Sequence, residues 1–236
     1  MKILFLTDHT SSSSCLKRIF DFNRYDYQQI SSKDTLKRVE EKFDLYLFNG
    51  YPRENLSSES IESIVHDVEE GAGLLMTGGK SSFTGKDGFY KGSRIEEILP
   101  VTLKKKDDRI CYYQGLLLTK EREHPIIAQL NLAKPPVICG YNDFIPKPGS
   151  QVPLSGRRLV YNGSHFDIPE ESIPLLVTNS YGLGKVAAFG ADLGSHWSGG
   201  LTDWGLERLE LSFDIEVGDQ YFQFITQLID WFKPTN

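Results

Sequence analysis

Four polar clusters follow apolar runs in this sequence. They are Asp8-His9-Thr10, Asn49-Gly50-Tyr51, Gly78-Gly79-Lys80-Ser81-Ser82-Phe83, and Asp192 with His196-Trp197. Their side chains suit two kinds of chemistry. Imidazole titrates near neutrality, so His9 and His196 fit proton exchange or metal ligation, a structural hydrogen bond being the plainer role of each. Ser81 or Ser82 with His196, and Asp192 as the orienting carboxylate, would make a Ser-His-Asp constellation of the kind that recurs on unrelated folds. Serines that satisfy backbone groups in a turn are the plainer reading. The competing use is binding. Asp8, His9, Asn49, Gly78, Gly79, Lys80 and Trp197 offer donors, acceptors and an aromatic wall to a small polar ligand. Gly78 and Gly79 carry no side chains, so their N–H groups are expected to face a ligand anion opposite a protonated His196.

Other chemistries fail on spacing. Gly79-Lys80-Ser81 looks like the end of a phosphate-binding loop, which needs a glycine at position 74, where this chain has Leu. His165 and Asp167 would make two metal ligands without a third nearby in sequence. Cys15, Cys111 and Cys139 are far apart and form no Cys-x-x-Cys pair. A disulfide scaffold and a cysteine zinc site are therefore not expected, and the thiols point to a reducing, cytoplasmic setting. No cofactor or metal is expected. The run Lys104-Lys105-Lys106-Asp107-Asp108-Arg109 reads as a solvated loop.

The elements that must position these clusters alternate. Lys2–Thr7, Asp44–Phe48 and Leu74–Thr77 are continuous apolar runs, as in strands buried on both faces. Tyr25–Ile30 is a weaker strand. Serines after the first strand cap a helix bearing Leu16, Ile19 and Phe20. Leu36, Val39 and Phe43 have helical spacing. Ser57 or Ser58 caps a helix with Ile61, Ile64, Val65 and Val68 on one face, and Gly71 stops it. Strand and helix in alternation predict a parallel sheet with helices on both sides. Ligands of such sheets sit beyond the carboxyl ends of the strands, where all four clusters fall.

After Pro100 the pattern is of short strands, with Leu175–Thr178 and Lys185–Phe189 joined as a hairpin whose two glycines take positive backbone angles. A closing helix carries Tyr221, Phe222, Ile225, Leu228, Ile229 and Phe232. The whole, residues 1–236, is expected to be one α/β domain with an antiparallel extension in its second half. Its 236 residues suffice for a sizeable core. With 26 Lys and Arg against 32 Asp and Glu, the net charge of -6 argues against a nucleic-acid partner bound through a basic face. No apolar run reaches the roughly 18 residues of a membrane span. Aromatic surface at Tyr112-Tyr113 and from Phe213 to Tyr221 would serve a homo-oligomer.

One series of motifs carries a family resemblance. It begins with Gly71-Ala72-Gly73-Leu74-Leu75-Met76-Thr77-Gly78-Gly79-Lys80-Ser81-Ser82-Phe83 and Ile95-Glu96-Glu97-Ile98-Leu99-Pro100-Val101. His124-Pro125-Ile126, Gly140-Tyr141-Asn142 and Pro146-Lys147-Pro148-Gly149 follow. Then come Tyr181-Gly182, Gly184-Lys185-Val186-Ala187-Ala188-Phe189, Asp192 and His196-Trp197. In order and spacing this resembles the glutamine amidotransferase-like family, itself distantly similar to trehalose-utilisation-like proteins. The resemblance implies a class I glutamine amidotransferase-like, flavodoxin-like α/β fold and leaves the activity unassigned. Enzymes of that fold place a nucleophilic cysteine on a strand-to-helix elbow, activated by histidine and glutamate. Here the elbow reads Thr77-Gly78-Gly79-Lys80-Ser81 and holds no cysteine. The expectation is a domain without the usual glutaminase chemistry that binds a small polar ligand or a protein partner at this edge. The alternative is a hydrolase or isomerase using His196 with Asp192 and Ser81 or Ser82.

Overall fold

The computed structural model of the chain describes residues 1–8 and 11–233. The chain opens with β1 (Lys2–Thr7), α1 (Ser11–Phe22), β2 (Asp26–Ser31), β3 (Leu45–Asn49), α2 (Ser58–Glu69) and β4 (Gly73–Thr77). A one-turn helix α3 (Arg94–Ile98) leads to β5 (Val101–Leu103), β6 (Arg109–Lys120), β7 (Val137–Asn142), β8 (Phe144–Pro146) and β9 (Gln151–Arg158). Then come β10 (Val160–Tyr161), β11 (Phe166–Asp167), β12 (Ser172–Tyr181), β13 (Gly184–Phe189), α4 (Ser195–Thr202), β14 (Arg208–Ser212), β15 (Ile215–Gly218) and α5 (Asp219–Asp230).

Nine strands form one sheet in the order β2-β1-β3-β4-β13-β12-β9-β6-β7. The first five run parallel, including the three apolar runs read as parallel from sequence. The last four join antiparallel. The runs are apolar throughout because both faces are covered. Ile3, Phe5, Leu45, Leu47 and Leu75 pack in a core with α1 and α5, while Leu4, Leu6, Tyr46, Phe48, Leu74 and Met76 pack in a second core with α2. Ser57 caps α2 by accepting the Ser60 N–H at 3.0 Å. Among the described residues no helix is long and apolar enough to cross a membrane.

Two local expectations are corrected. Leu36, Val39 and Phe43 do not lie on a helix. Leu36 instead forms a parallel bridge to Leu56, its N–H bonded to Asn55 O at 2.8 Å and its carbonyl accepting from Ser57 N–H at 3.1 Å. Its backbone partners are thus tertiary, and three apolar residues among charged ones bury too little to outweigh them. In the β12–β13 hairpin only Gly182 has a positive φ, of 55°.

Strand order reverses between β1 and β3, since β2 and β3 flank β1 on opposite sides. That reversal opens a crevice at the carboxyl ends of the two strands. At the other end of the order, the antiparallel half curls back. Asn142, the last residue of edge strand β7, donates its N–H to Gly190 O just past β13 at 2.8 Å. The curl brings the starts and ends of β6 and β7 to the same edge as the crevice.

Candidate functional site

The carboxyl ends of β1, β3 and β4 are closed by three polar side chains in register. Thr7 pairs with Asn49 and Asn49 with Thr77. Asn49 Nδ2 donates to Thr7 Oγ1 at 3.0 Å, and Thr77 Oγ1 donates to Asn49 Oδ1 at 2.8 Å. All three residues are buried. The row satisfies its own polar groups and ties three strands together.

Just beyond this row lies a cleft of about 280 Å³. It brings together Asp8, Asn49, Gly78, Gly79, Lys80, Asp192, His196 and Trp197 from loops far apart in sequence, and adds Gly50 and Arg109. Asp8 sits at the end of β1 with its N–H on Asn49 O at 3.2 Å. Gly50 has a φ of 76°, and a Cβ there would come within 2.9 Å of Asp8 Oδ2, so the glycine makes room for that carboxylate. His9 lies outside the described residues. Ser82 is buried and its Oγ accepts the Gly50 N–H at 3.3 Å. Ser81 is half-buried, and neither serine lines the cleft. Among the described residues no hydrogen bond joins either to His196.

The opposite wall comes from the loop after β13 and the first turn of α4. The N-cap residue Gly194 has no side chain to cap that helix. Asp192 serves instead, its Oδ1 accepting the Trp197 N–H at 3.3 Å. This bond holds His196, exposed, and Trp197, half-buried, over the cleft. The Trp197 indole lies on Gly140 of β7, where a Cβ would come within 2.5 Å of the ring. Burial pushes the Asp192 carboxyl up to about 6. The Ser198 hydroxyl, the Trp197 N–H and His196 pull it down, and Asp8 adds a smaller upward push. Ser198 has non-helical backbone angles inside α4, and its fully buried Oγ has no hydrogen bond with proper geometry.

The expectation that Gly78 and Gly79 present free N–H groups is corrected. Gly78 N–H bonds Ala191 O at 2.9 Å, and Gly79 N–H bonds Asn142 Oδ1 at 2.8 Å. The curl of the sheet supplies both the acceptor and its anchor. Asn142 Nδ2 donates to Gly79 O at 3.3 Å and to Asp108 Oδ1 at 2.6 Å. Asp108 Oδ2 accepts from Thr84 N–H and Thr84 Oγ1, both at 3.0 Å. Burial raises the Asp108 carboxyl, with Asn142 and Thr84 pulling it back. The run Lys104–Arg109 is therefore not wholly solvated, since Asp108 is buried and Arg109 lines the cleft. Asn142, Asp108 and Arg109 escaped the sequence reading as site residues. The one available signal was Asn142 at the end of the Gly140-Tyr141-Asn142 motif.

The remaining candidates sit elsewhere. His165 Nε2 lies 3.1 Å from Asp167 Oδ1 on the exposed β10–β11 hairpin, and no group of three metal-ligating side chains occurs among the described residues. His124 is buried and caps a 3-10 turn, its Nδ1 accepting the Ile126 N–H at 3.2 Å. Burial, and Arg122 to a lesser degree, push its imidazole down to about 4. Cys15 packs against the core, and burial pushes its thiol up to about 11 against a hydrogen bond to Tyr221. Cys111 and Cys139 are exposed on β6 and β7. None of the three lines the cleft.

Comparison with known proteins agrees with this architecture. The profile of a family described as "Putative glutamine amidotransferase" matches residues 2–210. Two solved cytoplasmic proteins of Salmonella typhimurium share the fold. One superposes with a TM-score of 0.77 at 21% identity, covering 98% of each chain. The other gives 0.75 at 24% identity, covering 99% of this chain and 100% of that one. A ThuA-like protein of Parabacteroides merdae superposes at 0.62 with 13% identity, covering 99% of this chain and 90% of its own. No curated protein matches the sequence.

Proposed function

This chain belongs to the glutamine amidotransferase-like family whose profile it matches, and from that premise we propose that it binds a small polar ligand in the cleft without a cysteine nucleophile. We read residues 1–236 as one such domain, its parallel half flavodoxin-like from the strand order 2-1-3-4 and then β13. The observation that carries the binding function is convergence. Asp8, Gly50, Gly79, Asp192 and His196 come from four separate loops to one concave site at the switch point of the sheet. A protein partner's side chain inserted into the same cleft would meet the same groups.

The cysteine reading rests on the elbow, where Gly78, Gly79 and Lys80 line the cleft and no thiol does among the described residues. A thiolate is the attacking species in glutaminase chemistry, and a thiol held up near 11 supplies little of it at neutral pH. The test has two arms. A thermal-shift panel of small polar compounds should give stabilising hits that vanish in His196→Ala. Ammonia release from glutamine should stay at the level of heat-killed protein. A panel without hits overturns the binding function; release abolished by a thiol reagent overturns the cysteine reading.

A second reading is favoured by one observation. Asp192, raised to about 6, stands beside His196 in the same cleft. A carboxyl raised in this way beside an imidazole suits general acid–base chemistry, as in a hydrolase or isomerase. Turnover by such an enzyme would be lost in both Asp192→Asn and His196→Ala.

A further inference from the structure

We propose that Asn162 is a modification site, an asparagine that the β10–β11 hairpin converts to aspartate or isoaspartate through attack by the backbone nitrogen of Gly163. The inference stands apart from the cleft and from what binds there.

The chain has two Asn-Gly pairs, Asn49-Gly50 and Asn162-Gly163. Glycine leaves its backbone open to close approach, so the nitrogen after the asparagine can reach the side-chain amide. The fold treats the two pairs differently. Asn49 is buried, with its amide held between Thr7 Oγ1 and Thr77 Oγ1, and the Gly50 N–H donates to Ser82 Oγ at 3.3 Å. Amide and nitrogen are both restrained there. Asn162 is exposed, a Cβ on Gly163 would meet nothing within 4 Å, and among the described residues the Gly163 N–H has no acceptor.

The neighbours of the Asn162 amide suit each stage of the reaction. Its Oδ1 accepts from Ser164 N–H, His165 N–H and Ser164 Oγ, each at 3.1 Å. Its Nδ2 lies 2.9 Å from both Asp167 Oδ2 and His165 Nε2. The imidazole is held at both nitrogens, Nδ1 2.9 Å from Ser164 Oγ and Nε2 3.1 Å from Asp167 Oδ1. The Gly163 N–H gives its proton to solvent base and the nitrogen bonds Asn162 Cγ. The charge that develops on Oδ1 falls among three donors, as in an oxyanion hole. When the carbonyl reforms, the Cγ–Nδ2 bond breaks and Nδ2 leaves as ammonia with a proton from His165, which solvent restores. Water then opens the succinimide at either carbonyl. The product sets a carboxylate where Nδ2 donated to Asp167, so the short β10–β11 ladder loses a bond and gains a like-charge contact. One hairpin thus changes charge once, slowly and irreversibly.

The test holds intact protein at pH 7.5 and 37 °C for several days beside a sample unfolded in guanidinium chloride. Both Asn-Gly peptides are followed by mass spectrometry that distinguishes isoaspartate. Folded protein should convert Asn162 about tenfold faster than unfolded protein, the lower end of what such donors and a proton carrier supply. Asn49 should convert only when unfolded. His165→Ala should bring the folded rate at Asn162 down to about the unfolded one, and Asp167→Asn, which keeps a polar side chain beside the amide, should slow it less. Neither should shift the cooperative unfolding transition, because both side chains are exposed. A folded rate at Asn162 equal to or below the unfolded rate overturns the inference, as does a folded rate unchanged in His165→Ala.

Discussion

Two buried polar groupings sit at the same edge of the sheet and are built on opposite terms. The row Thr7–Asn49–Thr77 pairs hydroxyl, amide and hydroxyl at 3.0 and 2.8 Å. Just past the end of the adjacent strand β13, Asp192 is raised to about 6 and Ser198 Oγ is left without a good partner. The first grouping is complete without a ligand. The second leaves a buried hydroxyl without a well-formed hydrogen bond beside a carboxyl that burial has shifted. A saturated polar network stabilises a fold, whereas an unsaturated one in a concave site is held at some cost to stability. Two of the molecule's histidines repeat the contrast, with His124 buried and bonded and His196 exposed in the cleft.

Removing the centre of the saturated row tests its structural role most severely. Asn49→Ala strips the amide from both buried hydroxyls, leaving Thr7 Oγ1 only its bond to Asp8 O and Thr77 Oγ1 only its long bond to Phe48 O, so the loss should be about 2 kcal/mol by urea unfolding. A loss below about 1 kcal/mol would dissolve the distinction.

Acid should act on the two sides with opposite sign. His124 has a folded pKa of about 4, below its unfolded value, so the stability it confers is present at neutral pH and lost as pH falls towards 4. Between pH 7 and 5 that loss should be about 2 kcal/mol, and His124→Asn should remove it from the unfolding curve. Asp192 has a folded pKa of about 6, above its unfolded value, so its ionised form weakens the fold above pH 6 and the penalty lifts as pH falls. Asp192→Asn should therefore gain about 1 kcal/mol at pH 7.5 and little at pH 4.5, where the wild-type carboxyl is already protonated. A destabilised Asp192→Asn would make Asp192 part of the saturated class.

The smallest expected effect is on His196. Exposed and outside the core, it should change stability by less than about 0.5 kcal/mol on replacement by Ala while abolishing the ligand response. A loss of several kcal/mol would make it structural.

Much of this was legible in the chain. Continuous apolar runs at Lys2–Thr7 and Leu74–Thr77 marked strands covered on both faces, and their polar ends marked the edge where Asp8, Gly79 and Asp192 meet. Ser57 announced α2. What escaped notice depends on partners distant in sequence. Leu36 lost its helix to a bridge with Leu56. Asp108 reads as one acid in a charged run until the curl of the sheet sets Asn142 beside it. The Gly79 N–H looked available for the same reason, since its acceptor is 63 residues away.

That distance also orders events in time. The clamp of Asn142 on Gly79 links a turn in the first half of the chain to the last residue of the edge strand β7. The strands between them in the sheet include β12 and β13, which are synthesised later than either. Contacts that close long loops form slowly, because chain entropy is lost before the contact is made. The parallel half can collapse early on local strand–helix units, but the cleft takes shape only after the antiparallel half has paired and curled. A nascent chain therefore closes this clamp only after β12 and β13 have joined the sheet.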